Sequence, residues 1–371
     1  MWRWIKRILI SLVVLLLFLL MVAGFVRYQG VQYMLALLGG GYARPLPAVD
    51  AYPVDAKGGP NPCASGPISV VTYNTFNGSA LVEDLVERFA DGDLRGFKPW
   101  SQRVPEIRER IAGYDADLIG LQEMGWDEDI AAIVPRDAGY TLVSYKYGSF
   151  QYGDSALLFR SARFDLLDSG QLWYGPNPDL PLSYGFRRLS MLRYASWALL
   201  KEKTTGFTFV FVNTHFDNAR ANKEPTSHLF RQRITALAQG LPMVVTGDFN
   251  SPGNTERYGV FTGSDQNPPL LQNTQTLAKA RLVHESHGAP PRAIADGETT
   301  LNYLERIDHI LVGGPCPVSV TNWTIDTRTL KDGANISDHD LIAAHIEFGV
   351  PIDLGIPADA TPVAATPVPQ P

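Results

Sequence analysis

The sequence predicts an α/β sandwich in which two packed, mixed β-sheets carry helices on their outer faces. Three observations over residues 68–348 support this class: apolar runs of strand length dominate, runs with helical spacing are few, and several strands are joined by hairpin-like connections. The chain has 371 residues, of which 45% are hydrophobic, so a stretch of this length can bury a substantial core.

The N-terminal segment, residues 1–30, is predicted to be a transmembrane anchor. The apolar run at 8–26 is long enough to cross the hydrocarbon core of a bilayer. A cleaved secretory signal usually has an apolar region of about 7–15 residues and a small-residue cleavage site, and no convincing site of that kind is present. Arg3, Lys6 and Arg7 precede the run, so the positive-inside rule leaves the N-terminus in the cytoplasm and exports the remainder to the periplasmic or extracellular side.

Two further segments are predicted to lie outside the folded domain. Residues 31–67 are interpreted as a stalk or linker, because 43–67 is rich in proline, glycine and alanine without periodicity. Residues 349–371 are interpreted as a disordered, proline-rich tail. The catalytic domain is therefore expected between them, at 68–348.

The charge of the exported part disfavours one functional class. The formal net charge is −6, and residues 1–30 carry four basic and no acidic residues, so the rest of the chain carries −10. Proteins that hold long nucleic acids by the backbone usually present a basic face. A local basic patch remains compatible with this balance.

The first half of the domain begins with a strand and two helices. The apolar run ISVVTYNTF at 68–76 predicts a strand, and the apolar spacing at 81–90 predicts a helix. A second helix is predicted at 100–114, with Pro105 early or at a break, and a buried strand is predicted at 116–124.

The middle of the domain is predicted to contain a strand at 154–160 and a hairpin. Two strands, at 195–203 and 207–216, are joined by a Thr-Thr-Gly turn. A helix at 225–240 ends at Gly240, which is a typical stop signal.

The last third of the domain is predicted to be mostly strand. The run MVVTGDF at 243–249 is followed by strands at 305–313, 318–326 and 341–348.

Polar side chains of a few types lie at the ends of these predicted strands. Asn74, Glu123, His215, Asp248 and Asn250 follow apolar runs, whereas Asp308, Asp338 and His339 precede them. In a sandwich this pattern gathers groups from many strands at one edge, where rigid strands position them well.

Each of these residues has an ordinary structural explanation when it is taken alone. Asn74 is compatible with a turn, Glu123 with a solvated strand end, and Asp308 with a surface ion pair to Arg306. Their joint occurrence is the argument for a shared site.

Six motifs in order carry a resemblance to a known superfamily. VVTYNTF, LIGLQE, VNTHFDN, VVTGDFNSP, ERIDHILV and SDHDLIAAHI together resemble the endonuclease/exonuclease/phosphatase superfamily, which has the DNase I-like fold. The resemblance covers nearly all of the predicted domain. It implies a four-layer α/β sandwich that hydrolyses phosphate esters with a metal ion.

The resemblance also implies a role for each matching residue. Glu123 is the expected main metal ligand, with Asn74 beside it and Asp338 as a second contributor. Asp248 and Asn250 are expected to orient water and the phosphoryl oxygens. The catalytic set is completed by Asp308, which is expected to orient His339, and by His215.

The donor types agree with these roles. Carboxylate and amide oxygens are hard ligands, which suit Mg²⁺ or Mn²⁺ better than Zn²⁺. Cleavage of an anionic ester needs charge neutralisation and an activated water, and an Asp-His pair fixes the tautomer of the imidazole.

A basic segment before the strand at 195–203 is a candidate substrate contact. Arg187, Arg188 and Arg193 could bind a substrate phosphate, and a basic surface hairpin is the alternative.

The two cysteines are predicted to form a disulfide. Cys63 precedes a strand that ends at the active edge with Asn74, and Cys316 follows a strand that begins there with Asp308. Both thiols are therefore expected at the edge opposite the chemistry, in a compartment where a disulfide persists.

The predicted function is that of a membrane-anchored, exported Mg²⁺-dependent phosphoesterase. Its substrate is expected to be either nucleic acid, or a small phosphoester or a phospholipid, sphingomyelin or phosphoinositide headgroup, and the sequence does not decide between them. A non-catalytic binding module on the same fold is the alternative from another class, disfavoured because every family position is filled. No protein partner is predicted.

Overall fold

A computed structural model describes residues 2–29, 63–79, 97–147, 150–179, 183, 185–186, 191–295, 297–298 and 305–349. The helix predicted at 81–90, most of the predicted linker and nearly all of the predicted tail lie outside the described residues.

The described part of the chain forms fourteen strands and six helices. The strands are β1 (Ile68–Gly78), β2 (Leu118–Met124), β3 (Tyr140–Tyr147), β4 (Phe150–Arg160), β5 (Phe164–Trp173), β6 (Tyr194–Glu202), β7 (Thr208–His215), β8 (Met243–Asp248), β9 (Leu271–Asn273), β10 (Ala278–His284), β11 (Arg292–Ala293), β12 (Asp308–Gly313), β13 (Val318–Asp326) and β14 (Leu341–Phe348). The helices are α1 (Trp2–Gln29), α2 (Trp100–Gly113), α3 (Asp127–Ile133), α4 (Arg220–Ala238), α5 (Glu256–Thr262) and α6 (Thr274–Leu277).

The strands form two mixed sheets. An eight-stranded sheet has the order β11-β10-β13-β14-β1-β2-β4-β3, and a six-stranded sheet has the order β5-β6-β7-β8-β12-β9. Parallel pairs, β1 with β2 and β7 with β8, lie beside antiparallel ones. The predicted hairpin is observed as the antiparallel pair β6–β7.

The main core lies between the two sheets. Along β1, Ile68 and Val70 point into this core, whereas Val71 and Tyr73 point to the opposite face, against α2. This alternation is the two-residue period of a strand, and here both faces of the strand are covered.

Helices cover the outer face of each sheet. The helices α4 and α5 pack on the six-stranded sheet through residues such as Phe230, Ile234 and Phe261. The helices α2 and α3 pack on the eight-stranded sheet through Ile107 and Ile130. The predicted four-layer α/β sandwich is therefore confirmed.

Several peripheral elements were not predicted from the sequence. Strands β3, β5, β9, β10 and β11 lie at or near the sheet edges, where only one face is buried and the apolar signal is weak. In β5, for example, Leu166 and Leu167 are exposed. The helix predicted from 225 begins at Arg220, because Pro225 is accommodated inside α4 rather than starting it.

A buried polar network joins the two sheets beneath one edge. The side-chain amide of Asn213 on β7 donates to Leu121 O at 2.8 Å and to Ala156 O at 2.7 Å, both in the other sheet. Its oxygen accepts from Gln122 Nε2 at 2.6 Å and from Thr246 Oγ1 at 3.0 Å. All four hydrogen-bonding positions of this amide are used, so the network fixes how β2 and β4 sit over β7 and β8.

The N-terminal helix α1 is separate from this sandwich. Its segment Trp4–Ala23 has a mean hydropathy of 2.7 and none of it is buried in the protein. It is long and apolar enough to cross a membrane or to serve as a signal sequence.

A disulfide joins Cys63 to Cys316, with their Cα atoms 5.3 Å apart. Cys63 precedes β1 and Cys316 follows β12, so the bond lies at the end of the sandwich where β1 starts and β12 finishes. It closes a loop with a sequence separation of 253 residues.

Removal of this disulfide is expected to lower stability. Cys63→Ser should cost about 2–5 kcal/mol, or roughly 5–15 °C in Tm, because the unfolded chain regains the entropy of a long open loop. Cys63 is exposed, so the substitution opens no core cavity, and Ala64→Ser is a matched control at the adjacent exposed position. An equal Tm for Cys63→Ser and the wild type by scanning calorimetry would contradict the stabilising role.

A buried ion-pair cluster lies at the opposite end of β13. The carboxylate of Asp326 is fully buried and accepts hydrogen bonds from Arg328 Nη2 at 2.6 Å and Tyr114 OH at 3.1 Å, with Arg110 Nε 3.7 Å away. Burial opposes ionisation of Asp326, but Arg328 and Arg110 outweigh it and hold its pKa below the ordinary value.

Asp326→Asn is expected to destabilise the fold by about 3–5 kcal/mol at neutral pH, because two buried guanidinium groups lose their counter-charge. The native pKa of Asp326 is lowered, so its contribution is present above the unfolded pKa of about 3.9 and is lost as pH falls through the folded pKa. The difference in unfolding free energy between this variant and wild type, measured by denaturant unfolding, should therefore shrink as the pH falls below about 4.

The exposed Asp332, paired with Lys98 at the surface, provides the control substitution Asp332→Asn. If the difference in unfolding free energy between Asp326→Asn and wild type did not change with pH, loss of the Asp326 charge would not be the cause of the destabilisation.

Candidate active site

Polar side chains from both sheets meet at one edge of the sandwich. The parallel pairing of β7 with β8 places His215 opposite Asp248, and the antiparallel pairing of β12 with β8 places Asp308 opposite Asp248. Asn74, where the pairing of β1 with β2 becomes irregular, and His339, before β14, reach the same point from the other sheet. The structure thus brings together residues that are up to 265 positions apart in sequence.

His339 and Asp308 form a tight pair. His339 Nδ1 lies 2.6 Å from Asp308 Oδ2, and His339 Nε2 faces Asp248 Oδ2 at 3.8 Å. Burial lowers the pKa of His339, but the Asp308 carboxylate outweighs it, so the pKa is raised. Arg306, the sequence-based alternative partner of Asp308, instead pairs with Asp340 at 3.5 Å.

A second acid–imidazole pair lies on the other side of Asp248. His215 Nδ1 is 3.0 Å from Asp154 Oδ1, and His215 Nε2 is 3.4 Å from Asp248 Oδ2. Burial and Arg193 lower the pKa of His215, but its two carboxylate partners outweigh them and raise it to about 9. Both imidazoles therefore direct Nε2 toward one carboxylate, that of Asp248.

Asp248 lies at the centre of the site. Its Oδ2 accepts from Asn74 Nδ2 at 3.1 Å, and its Oδ1 accepts from the backbone N–H of Asn250 at 2.7 Å. Burial would raise the pKa of Asp248, but the hydrogen bond and charge of His215 and the charge of His339 lower it well below the usual range. This carboxylate is consequently ionised at neutral pH.

The orientation of the Asn74 amide is fixed by the backbone. Its Oδ1 accepts from Phe76 N at 3.0 Å, so its Nδ2 faces Asp248, Glu123 Oε1 at 3.4 Å and His339 Nε2 at 3.5 Å. In this orientation Asn74 acts as a donor between two carboxylates. Its Oδ1 keeps a second lone pair beyond the bond from Phe76 N, and the predicted metal ligation by Asn74 stays a prediction.

Asn250 is held beside Asp248 by backbone contacts. Its Nδ2 donates to Phe216 O at 3.0 Å, and its own carbonyl accepts from Lys223 Nζ at 2.9 Å. The side chain of Asn250 is therefore immobilised at the edge of the site, on the loop that follows β8.

Strained backbone conformations are concentrated around the site. Phe76, Glu123 and Asn250 have positive φ values of 52°, 61° and 47°. Non-glycine residues adopt this region at an energetic cost, which is typical of functional sites. The strand ends are bent here so that the side chains of Glu123 and Asn250 turn into the edge.

The donor set fits a divalent cation. Ligand atoms of Asp248, Asp308 and His339 lie within 4.8 Å of one another. Asp308 Oδ1 is buried and has no hydrogen-bond partner in the described part of the chain. Burial raises the pKa of Asp338, and the nearby carboxylates of Glu123 and Asp248 raise it further, against the opposing charge of His339. A cation would relieve this crowding of negative charge.

The predicted substrate role of Arg193 needs correction. Its side chain is buried, and its Nη1 donates to Asp154 Oδ1 at 2.9 Å. Arg193 therefore supports the carboxylate that holds His215 instead of facing a substrate. Arg187 and Arg188 lie outside the described residues.

Asp154 is the site residue that the sequence reasoning missed. It immediately precedes the apolar run SALLF, which is the same pattern that drew attention to Asp308. The signal was therefore present, but no motif accompanied it.

A four-layer sandwich with two acid–imidazole pairs and a carboxylate-rich edge is the architecture of a metal-dependent phosphoesterase. The sequence matches the Endonuclease/Exonuclease/phosphatase family over residues 71–339, which is more than half of the chain. The chain therefore belongs to this family, whose members are metal-dependent phosphoesterases. No curated protein matches the sequence.

Solved structures share the fold. A family member from Bacteroides vulgatus is 23% identical, with a TM-score of 0.58, covering 76% of this chain and 100% of its own. A mannosyl-6-phosphatase from Bacteroides thetaiotaomicron is 24% identical, with a TM-score of 0.56, covering 75% and 99%. TDP2 of D. rerio, complexed with a single-strand DNA product, is 15% identical, with a TM-score of 0.52, covering 76% and 99%. At these identities the similarity shows the fold and not the substrate.

Asp154→Asn is expected to lower kcat by about 10²-fold with little change in KM, because His215 loses the partner that orients it and sustains its charge. Steady-state hydrolysis of a chromogenic phosphoester measures this. Asp168→Asn, on the half-exposed strand β5, is the matched control. An unaltered kcat in Asp154→Asn would show that His215 does not depend on this carboxylate.

Proposed function

We propose that the protein is a membrane-anchored phosphoesterase that cleaves a small phosphoester or phospholipid headgroup with the help of Mg²⁺ or Mn²⁺. The observation that carries the proposal is the convergence of two imidazoles and Asn74 on the ionised Asp248, beside Glu123 and Asp338. The catalytic domain is assigned to residues 68–348.

Glu123, Asp338 and Asn74 are the residues that would hold the metal. The carboxylates of Asp248 and Asp308 lie at the same edge, within reach of His339. Oxygen donors of this kind suit Mg²⁺ or Mn²⁺. When bound, the ion neutralises charge on the phosphoryl oxygens and favours attack by water.

The remaining residues act directly on the reacting groups. Asp248 is ionised and can accept a hydrogen bond from the attacking water, while Asn250 beside it provides a neutral amide for a phosphoryl oxygen. His339, charged because of Asp308, can donate from Nε2 to a phosphoryl oxygen. His215 provides a second donor on the other side of Asp248.

Charge favours a small substrate or a headgroup over a long polynucleotide. The chain beyond residue 30 carries a formal net charge of −10, which repels an extended polyanion. The apolar helix α1 favours an uncleaved anchor, with basic residues on its cytoplasmic side and the catalytic domain exported. A site held near a bilayer surface has ready access to lipid headgroups, so a phospholipid is the second candidate substrate class.

Glu123→Gln and His339→Ala test the roles at the site. Glu123→Gln is expected to raise the Mg²⁺ concentration needed for half-maximal activity, because one anionic ligand is lost, and His339→Ala is expected to lower kcat by about 10²–10⁴-fold. Glu347→Gln, near the far end of β14, is the matched control. Unchanged hydrolysis in both site variants would reject the proposal.

A substrate panel tests the class of ester. The full-length protein in detergent would be offered p-nitrophenyl phosphate, bis-p-nitrophenyl phosphate, sphingomyelin vesicles and plasmid DNA with Mg²⁺. Preferential cleavage of a small ester or of the lipid is expected. A clear preference for plasmid DNA would overturn the substrate class while leaving the phosphoesterase assignment intact.

A further inference from the structure

A pocket of about 740 Å³ opens between α4 and α5, next to the catalytic loop. Its lining includes three cationic residues and three acidic ones: Arg220, Lys223, Arg257, Glu224, Glu256 and Asp265. None of the active-site residues described above lines this pocket, and the proposed mechanism uses none of its cations.

Two of the cations are attached to the loop that carries Asp248 and Asn250. Lys223 Nζ donates to Asn250 O at 2.9 Å, and Arg257 Nε donates to Ser251 Oγ at 2.9 Å. Two residues that line the pocket are therefore hydrogen-bonded to the loop that follows Asp248. Asp217 accepts from Ala219 N at 2.7 Å and from Asn222 Nδ2 at 2.7 Å, and so fixes the start of α4, from which Lys223 projects.

The charges of the three cations are not balanced by ion pairs among the described residues. Within the residues that the structure describes, Arg220, Lys223 and Arg257 make no ion pair, although three acidic residues line the same pocket. Burial and the nearby Arg257 lower the pKa of Lys223 against the opposing charges of Asp248 and Asp217, and burial and Arg220 lower the pKa of Arg257. Like charges therefore crowd one another beside the site, an arrangement that a bound anion would relieve.

We propose that Arg220, Lys223 and Arg257 bind a second phosphate group of the substrate, next to the phosphoester that is cleaved. Arginine forks bind phosphate oxygens in pairs, and a lysine adds a point charge. The inference rests on the proposed phosphoesterase function and narrows its substrate to small molecules that carry two phosphates. Its geometric basis is the loop from Asp248 to Ser251, which carries the reacting groups and accepts hydrogen bonds from Lys223 and Arg257, and the pocket that these two residues line together with Arg220.

The test compares substrates that differ by one phosphate. Thymidine 3′,5′-bisphosphate is compared with thymidine 5′-monophosphate, and fructose 1,6-bisphosphate with fructose 6-phosphate, so that the two arms distinguish a nucleotide from a sugar source. The wild type is expected to have a higher kcat/KM for the bisphosphate in at least one arm. Arg220→Gln and Arg257→Gln should each lower the bisphosphate-to-monophosphate ratio by about tenfold, through KM.

Lys279→Gln is the control, because Lys279 is exposed at the start of β10, far from this pocket. It should leave the ratio unchanged. Ratios that are equal in wild type, Arg220→Gln and Arg257→Gln would overturn the second-phosphate site while the phosphoesterase function stands.

A binding measurement separates this inference from the proposed function. In the His339→Ala background, calorimetry with thymidine 3′,5′-bisphosphate and fructose 1,6-bisphosphate should show a Kd that rises about tenfold when Arg220→Gln is added. That result supports the site even if none of the four compounds is hydrolysed. Unchanged Kd values for both ligands, or no binding of either, would overturn it.

Discussion

The side-chain amide of Asn213 is the contact on which the site most depends. It spans the interface between the sheets, with two hydrogen bonds donated to one sheet and one accepted from each. A Cβ on Gly120 would lie 2.4 Å from Asn213 Oδ1, so only glycine permits this close approach. Because Asn74 and Glu123 lie in one sheet and His215 and Asp248 in the other, any slip between the sheets would separate the two halves of the site.

Above this network the site is an arrangement of opposed charges. Each imidazole is held by its own carboxylate, Asp154 for His215 and Asp308 for His339, and both face Asp248. Burial alone would discharge these groups, and their mutual pairing keeps them ionised. Glu123 and Asn250 have positive φ values at this site, and the surrounding packing holds both residues in this energetically costly conformation.

The central strands and the polar residues at their ends could be predicted because their local pattern is strong. The runs around Asn74, Glu123 and Asp248 are buried on both faces, so they are continuously apolar and end abruptly in polar residues. Edge strands such as β5 lack this signal, since one face meets solvent. Arg193 could not be assigned for another reason. From sequence, an arginine that binds substrate cannot be distinguished from one that pairs with a buried carboxylate, and in the structure Arg193 pairs with the buried Asp154.

The family and the layered fold could be predicted from apolar periodicity and from motifs that each occupy one short segment. The same motifs predicted a shared site at one edge. The pairing of individual groups, such as Asp154 with His215 and Lys223 with the carbonyl of Asn250, became visible in the folded protein. Such contacts join distant segments, and hydrogen bonds of about 3 Å depend on sheet register, crossing geometry and side-chain orientation, none of which a local pattern encodes.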